Sequence, residues 1–166
     1  MKTMHDKPLI VQTGKFTGRS PQDRYFVKTE KNKNTIDWGK RNTAISEKTF
    51  EILNIQLEAY LTQHINFEYV GNVISDEQQS YKISFLTEEK WYTQFAKNIF
   101  REDKFEIFLD KIKILHAPNF IPKEYDDLLN NNFVIIHPEK KIILIAGTGY
   151  AGEIKKSVFS LLNIDL

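Results

Sequence analysis

Cysteine is missing from all 166 positions of the sequence. This absence excludes disulfide bonds, thiolate metal sites and a cysteine nucleophile, and it agrees with a reducing, cytoplasmic location. No apolar run approaches the ~20 residues that a membrane-spanning helix needs. Residues 1–14 lack the apolar core of a secretory signal. We therefore expect a soluble cytoplasmic protein with no membrane partner.

An excess of charge of one sign is also missing. The chain has 23 basic and 22 acidic residues, a net charge of +1. A broad nucleic-acid surface requires a basic excess, so we expect no nucleic-acid partner. The length and the 41% apolar content are enough for one domain with its own core, and we expect residues 1–166 to form a single domain.

Strand-like and helical patterns alternate along the chain, which predicts an α/β fold: a mixed β-sheet flanked by helices. Residues 30–44 are polar and predict a surface excursion. Strands are expected at 24–29, 66–75, 81–86, 111–118, 133–137 and 141–147, the last two joined by a tight turn.

Three longer helices are expected between these strands, together with a short helix that starts at Pro122. The first begins after Ser46, a favourable N-cap, and continues to Gln63. Thr87 is expected to cap the second, whose buried stripe would be Trp91, Phe95 and Ile99. The third follows a glycine loop near the end of the sequence. The four histidines show no metal-ligand spacing, and those at strand ends, His116 and His137, are expected to be structural.

The stretch "QTGKFTGRSPQDRYFV" (12–27) places Arg19 in the centre of a flexible loop. A loop rich in Gly, Ser and Pro is often only a solvated turn. The alternative is a loop that presents the planar guanidinium of Arg19 to a carboxylate or phosphate. It is not a P-loop, because only three residues separate its glycines and arginine replaces the phosphate-binding lysine.

A second glycine loop, "GTGYAG" (147–152), spells G-x-G-x-x-G between a strand and a helix. This leaves a dinucleotide-binding module as one alternative, although the charged start of the helix is unusual for that fold. The loop also offers the Tyr150 hydroxyl and a helix N-terminus, which favours anions. Lys155 and Lys156 point about 100° apart on a helix, so they serve different tasks. One alternative is that both are simply surface lysines on an amphipathic helix. The other is that one of them turns into a cleft. A neighbouring cation or metal there would favour its neutral amine, the form that can ligate a metal.

Both loops resemble the N-terminal domain of the ATP-dependent phosphoenolpyruvate carboxykinases. "TGKFTGRSPQDRYFV" matches the family pattern T-G-x-F-T-G-R-S-P-x-D-[KR]-[YF]-x-V. "AGTGYAGEIKKSVFSLLN" matches G-T-x-Y-x-G-E-x-K-K-x-x-F-S-x-x-N, with Gly149 where an aromatic is common and Ala151 where Gly is common. The intervening "ISFLTEEKWYTQFAKNIF" is similar as well. The resemblance covers nearly the whole chain in the same order.

The resemblance implies conversion of oxaloacetate and ATP to phosphoenolpyruvate, CO2 and ADP, a gluconeogenic step that uses Mg²⁺ and Mn²⁺. Arg19 would bind the substrate carboxylate, and Tyr150 would line the same site. Lys156 would be a Mn²⁺ ligand that also approaches the transferred phosphoryl group. Lys155 would support the nucleotide side of the cleft.

Members of this family are much longer, and their C-terminal half supplies the P-loop, the remaining metal ligands and the adenine pocket. We therefore expect an N-terminal, substrate-side domain that folds alone but does not turn over substrate without that half. The alternatives that remain open are the dinucleotide-binding module and a non-catalytic domain that retains the fold.

Overall fold

One mixed sheet organises the protein. The computed structural model describes residues 24–38, 42–74, 80–101, 110–123, 128 and 132–164; the predicted Arg19 loop and most of the predicted helix from Pro122 lie outside them. Within these ranges seven strands form one sheet in the order β2-β1-β6-β7-β5-β4-β3. The elements are β1 (Arg24–Lys28), β2 (Thr43–Ser46), α1 (Glu47–Gln63), β3 (Phe67–Ile74), β4 (Ser80–Thr87), α2 (Trp91–Ile99), β5 (Asp110–Ala117), β6 (Phe133–His137), β7 (Ile142–Ala146) and α3 (Gly152–Ile164).

Strand directions make the sheet mixed. β1 pairs in parallel with β2 and β6, and β5 pairs in parallel with β4 and β7. The antiparallel pairs are β3 with β4 and β6 with β7, each formed by strands consecutive in the chain. The expected α/β class with a mixed sheet and flanking helices is confirmed.

The helices cover both faces of the sheet, so its central strands are buried on both sides. In β6, Phe133 and Ile135 pack in the cluster that includes α1, whereas Val134 and Ile136 pack in the cluster that includes α2 and α3. All five residues of this strand are buried. This explains why the strand is a continuous apolar run without a polar alternation.

Helix α1 forms as the sequence predicts. The Ser46 hydroxyl accepts a hydrogen bond from the Thr49 N–H at 3.1 Å, which satisfies one of the N–H groups left without a partner at the helix start. The apolar positions of the helix lie on one face, and that face packs on the sheet. The fully buried ones are Phe50, Leu53, Leu57 and Leu61.

The predicted start of α2 is wrong. The helix begins at Trp91, after Lys90, and no side chain caps it. Thr87 is the last residue of β4, and its hydroxyl is 2.8 Å from the His116 Nδ1 in a buried hydrogen bond. The hydroxyl therefore joins two neighbouring strands, β4 and β5, and not a helix end.

The predicted buried stripe of α2 is displaced by one position. Tyr92 and Ala96 are the buried residues of the helix, whereas Trp91, Phe95 and Ile99 are only partly buried against the core. Both sets have helical spacing, so the sequence pattern alone did not distinguish them.

The surface excursion expected at 30–44 is correct only in part for its described residues. The buried Asn32 side chain donates to the Val27 carbonyl at 2.8 Å and accepts from the Thr29 N–H at 2.8 Å. Ile36 joins the core, and Thr43–Ser46 adds the edge strand β2. None of the helices formed by the described residues is long and apolar enough to cross a membrane.

Candidate functional site

The loop after β7 leaves the sheet at the same edge where β1 begins. At this edge Ala146, the last residue of β7, pairs with Phe133, the first residue of β6. Strand β1, the parallel partner of β6, begins at the same edge, because its Arg24 pairs with Val134 of β6. Residues 147–151 therefore leave the sheet two strands from the point where the chain enters β1, a separation of about 10 Å. The carboxyl ends of β4 and β5 lie at this edge as well.

The loop after β7 is held by hydrogen bonds at both ends. Gly147 has a positive φ of 75°, a conformation that favours glycine, and its N–H donates to the Ala117 carbonyl at 3.3 Å. The Tyr150 N–H donates to the Thr148 hydroxyl at 3.2 Å, and Thr148 is buried. These contacts give the loop a defined shape before any ligand is present.

The ring of Tyr150 folds back over the start of α3. A β-carbon at Gly152 would lie 2.8 Å from the Tyr150 Cζ, so only glycine leaves room for the ring there. The Lys156 Nζ lies 6.0 Å from the centroid of this ring, within the range of a cation–π contact. The structure therefore brings Tyr150 and Lys156 together.

The two lysines diverge, as helical geometry requires. Lys155 places its Nζ 5.7 Å from the ring centroid of Phe159, away from Tyr150. Both lysines are exposed. The pair therefore presents one cation beside the tyrosine and one on the outer face of α3.

The start of α3 offers fewer free N–H groups than the sequence predicts. The N–H groups of Glu153 and Ile154 already donate to the carbonyls of Tyr150 and Ala151, at 3.2 and 3.1 Å. Glu153 itself is buried in the first turn, where the helix dipole favours a carboxylate. An anion at this edge would thus be bound mainly by side chains.

His116 lies behind the loop, at the end of β5. Its ring packs edge-to-face on Tyr92 with centroids 4.2 Å apart, and complete burial lowers its pKa to about 3. It is therefore neutral at physiological pH. His137 lies at the opposite edge, where its Nδ1 accepts from the Lys140 N–H at 3.1 Å. Both imidazoles are packed inside the fold, in agreement with a structural role.

The sequence patterns above did not single out Tyr92. This residue is fully buried, and its hydroxyl donates to the Gly149 carbonyl at 2.9 Å. The signal that could have found it is the spacing of Tyr92, Ala96 and Phe100, a second apolar stripe on the same helical segment. That stripe is the one that faces the core.

The described residues do not fit a metal ion by themselves. Within them no group of three or more His, Asp and Glu side chains is placed to hold one. Lys156 offers a single amine, whereas divalent ions in proteins take several ligands. Any ion at this edge would need donors from outside the described residues.

One protein family matches the whole chain. A family model described as phosphoenolpyruvate carboxykinase, of the ATP type, matches residues 1–166. The chain belongs to the ATP-dependent phosphoenolpyruvate carboxykinase family. It is similar to the phosphoenolpyruvate carboxykinase (ATP) of Lysinibacillus sphaericus strain C3-41, with 39% identity over 163 residues that cover 95% of this chain and 31% of the relative.

Two other curated relatives show the same pattern. The phosphoenolpyruvate carboxykinase (ATP) of Bacillus velezensis is 39% identical over 156 residues, and that of Bacillus subtilis strain 168 is 40% identical over 157 residues. Each alignment covers 91% of this chain and 30% of the relative. The chain therefore spans about a third of the length of these carboxykinases, and the family favours this assignment over a dinucleotide-binding module.

Proposed function

We propose that this chain is the substrate-side domain of an ATP-dependent phosphoenolpyruvate carboxykinase. The observation that carries the proposal is the topology of the sheet edge. The loop with Tyr150 and the chain entering β1 from the Arg19 motif attach to one edge, two strands apart. Arg19 precedes Arg24 by five residues, which span at most about 17 Å. Both motifs are thus within reach of one small ligand.

In this proposal Arg19 and Tyr150 recognise the carboxylates of oxaloacetate and phosphoenolpyruvate. A planar guanidinium matches a carboxylate with two parallel hydrogen bonds. The phenol of Tyr150 adds a hydroxyl from the other loop. Because two groups from distant parts of the chain share the ligand, binding depends on the fold and not on either motif alone.

Lys156 places its amine beside the tyrosine, where in its neutral form it would be a ligand of Mn²⁺. Loss of CO2 from oxaloacetate leaves an enolate, whose oxygen then takes the terminal phosphoryl group of ATP to give phosphoenolpyruvate and ADP. A metal ion held there by the Lys156 amine would stabilise the negative charge that develops on that oxygen. Lys155, on the outer face of α3, is assigned to the nucleotide side of the cleft.

ATP with Mg²⁺, and Mn²⁺, need groups that the described residues do not supply. We assign the P-loop and the remaining metal ligands to a C-terminal domain, with Lys156 as the one metal ligand contributed from this chain. The reaction belongs to cytoplasmic gluconeogenesis in this proposal. The 166-residue chain by itself is expected to bind the carboxylate substrate and not to turn it over.

Calorimetric titration of the chain with phosphoenolpyruvate tests the shared site. Arg19→Ala removes a charge-assisted contact, and we expect a loss of affinity of about tenfold or more. Tyr150→Phe should weaken binding less than Arg19→Ala does. The double variant should lose less binding free energy than the sum of the two single losses, since both groups hold one ligand. Lys111→Ala is the control, because this exposed lysine lies near the opposite end of β5.

Two outcomes would contradict the proposal. Effects of Arg19→Ala and Tyr150→Phe no larger than that of Lys111→Ala would show that the loops share no ligand. Formation of phosphoenolpyruvate from oxaloacetate and ATP by this chain alone would show that no second domain is required.

A further inference from the structure

The peptide unit between Gly149 and Tyr150 is held at both of its polar atoms. The Gly149 carbonyl accepts the Tyr92 hydroxyl at 2.9 Å, and the Tyr150 N–H donates to the Thr148 hydroxyl at 3.2 Å. A peptide unit is planar, so fixing its oxygen and its nitrogen fixes its orientation. The direction in which the Tyr150 side chain leaves the backbone follows from that orientation.

Packing holds the hydroxyl of Tyr92 in place. Its ring lies edge-to-face on His116 and tilted on Trp91, each with centroids 4.2 Å apart. The residue is fully buried and 57 positions from Gly149 in sequence. The contact therefore joins the start of α2 to the loop after β7 across the interior of the protein.

The phenol of Tyr92 remains a hydrogen-bond donor at physiological pH. Burial raises its pKa above the ordinary value, and the nearby carboxylates of Glu89 and Glu88 raise it further. A buried carbonyl left without this donor would lose a hydrogen bond that water cannot replace.

We propose that Tyr92 is a positioning residue for the substrate site. It holds the Gly149–Tyr150 peptide so that the Tyr150 ring lies over Gly152 and beside Lys156. Tyr92 does not touch the ligand in this arrangement; it acts through the loop. The inference rests on the proposed function only in naming the ligand of Tyr150 as a carboxylate substrate.

Tyr92→Phe tests this role with Tyr69→Phe as a matched control. The Tyr69 hydroxyl also donates to a buried backbone carbonyl, that of Phe100, at 2.7 Å. Tyr69 lies on the edge strand β3, which is separated from β7 by β4 and β5. Both variants lose one hydroxyl and one buried hydrogen bond, so they should lose similar amounts of global stability.

Amide hydrogen exchange measured by NMR is the first readout. We expect the Tyr150 amide to exchange about tenfold faster in Tyr92→Phe and at the original rate in Tyr69→Phe, because only the first variant loosens the loop. Thr148→Val, which removes the other contact to the same peptide, should also speed this exchange. It provides a second test if Tyr92→Phe does not fold.

Affinity for phosphoenolpyruvate, measured by calorimetry, is the second readout. We expect about a fivefold loss in Tyr92→Phe and no change in Tyr69→Phe, since a loosened site must be ordered on binding. Equal exchange rates at Tyr150 in the two tyrosine variants would overturn the positioning role, as would equal affinities. If the unmodified chain binds no phosphoenolpyruvate, the proposed function fails for this chain, and the exchange rates alone decide the role of Tyr92.

Discussion

The ring of Tyr150 lies against the backbone of Gly152, where a β-carbon would come within 2.8 Å of the Cζ atom. This close approach makes the residue type at 152 depend on the ring at 150, because a larger residue would collide with that ring. Gly152 is needed for the position of an aromatic ring two residues earlier. The same ring lies beside the Lys156 amine, so the glycine indirectly determines how phenol and amine are arranged.

Gly152→Ala should therefore weaken ligand binding while leaving the stability of the fold almost unchanged. The new methyl group displaces the Tyr150 ring, which can move outwards, and we expect the free energy of unfolding to change by less than about 1 kcal/mol. Affinity for phosphoenolpyruvate, measured by calorimetry, should fall about tenfold because the ring leaves its place beside Lys156.

Gly71→Ala is the matched control for that experiment. A β-carbon at Gly71 would meet the Tyr69 ring at 2.8 Å and the Arg101 backbone carbonyl at 3.0 Å, and the backbone cannot move as a side chain can. This variant should lose stability and keep its affinity for phosphoenolpyruvate. Full affinity in Gly152→Ala would show that binding does not depend on the position of the Tyr150 ring.

Leu53→Ala should destabilise the fold strongly. Leu53 is fully buried between α1 and the sheet, so its truncation leaves a cavity, and we expect a loss of about 2–5 kcal/mol in urea unfolding. Ile55, on the same helix, is 65% exposed, and Ile55→Ala should change stability by no more than about 0.5 kcal/mol. Similar losses for both variants would contradict the observed orientation of α1.

Ser46→Ala should remove the N-cap of α1. The hydroxyl satisfies the Thr49 N–H, and we expect a loss of about 1 kcal/mol in the free energy of unfolding, measured by urea titration. Ser160→Ala is the control, because the Ser160 hydroxyl donates to the Lys156 carbonyl within α3 and caps no helix start. An equal effect of the two substitutions would argue against capping at Ser46.

Stability should decrease in mild acid because of His116. Burial lowers the pKa of His116 to about 3 in the folded protein, whereas an imidazole in the unfolded chain titrates near about 6.5. The unfolded state therefore binds more protons between these values, and folding is favoured at higher pH. Between pH 7.5 and 5.5 we expect His116 to account for about 1 kcal/mol of lost stability.

His116→Asn isolates this contribution while retaining a polar group toward Thr87. Urea unfolding at both pH values should show a decrease in stability that is about 1 kcal/mol smaller in the variant. Burial also lowers the pKa of His137, so some acid sensitivity should remain. If variant and parent lose the same stability over this range, His116 is not neutral in the folded state.

The elements with local signals were predictable. Ser46 and the apolar spacing after it predicted α1, because a cap and a helical stripe act within a few residues. The hairpin of β6 and β7 followed from two apolar runs around a short polar turn. The wrong predictions arose where a side chain had more than one possible hydrogen-bond partner. Thr87 had the chemistry of a cap, and its hydroxyl bonds to His116 on the neighbouring strand instead.

Sequence patterns alone determined the α/β class, most strands, and the two loops that carry the family's motifs, because periodicity and turn chemistry are local properties of the chain. Only the tertiary structure decided that β1 begins at the sheet edge where β7 ends, and that Tyr92 supports Gly149. Strand order and contacts between residues 57 positions apart depend on how whole faces pack. That packing is a collective property that no short stretch of sequence encodes.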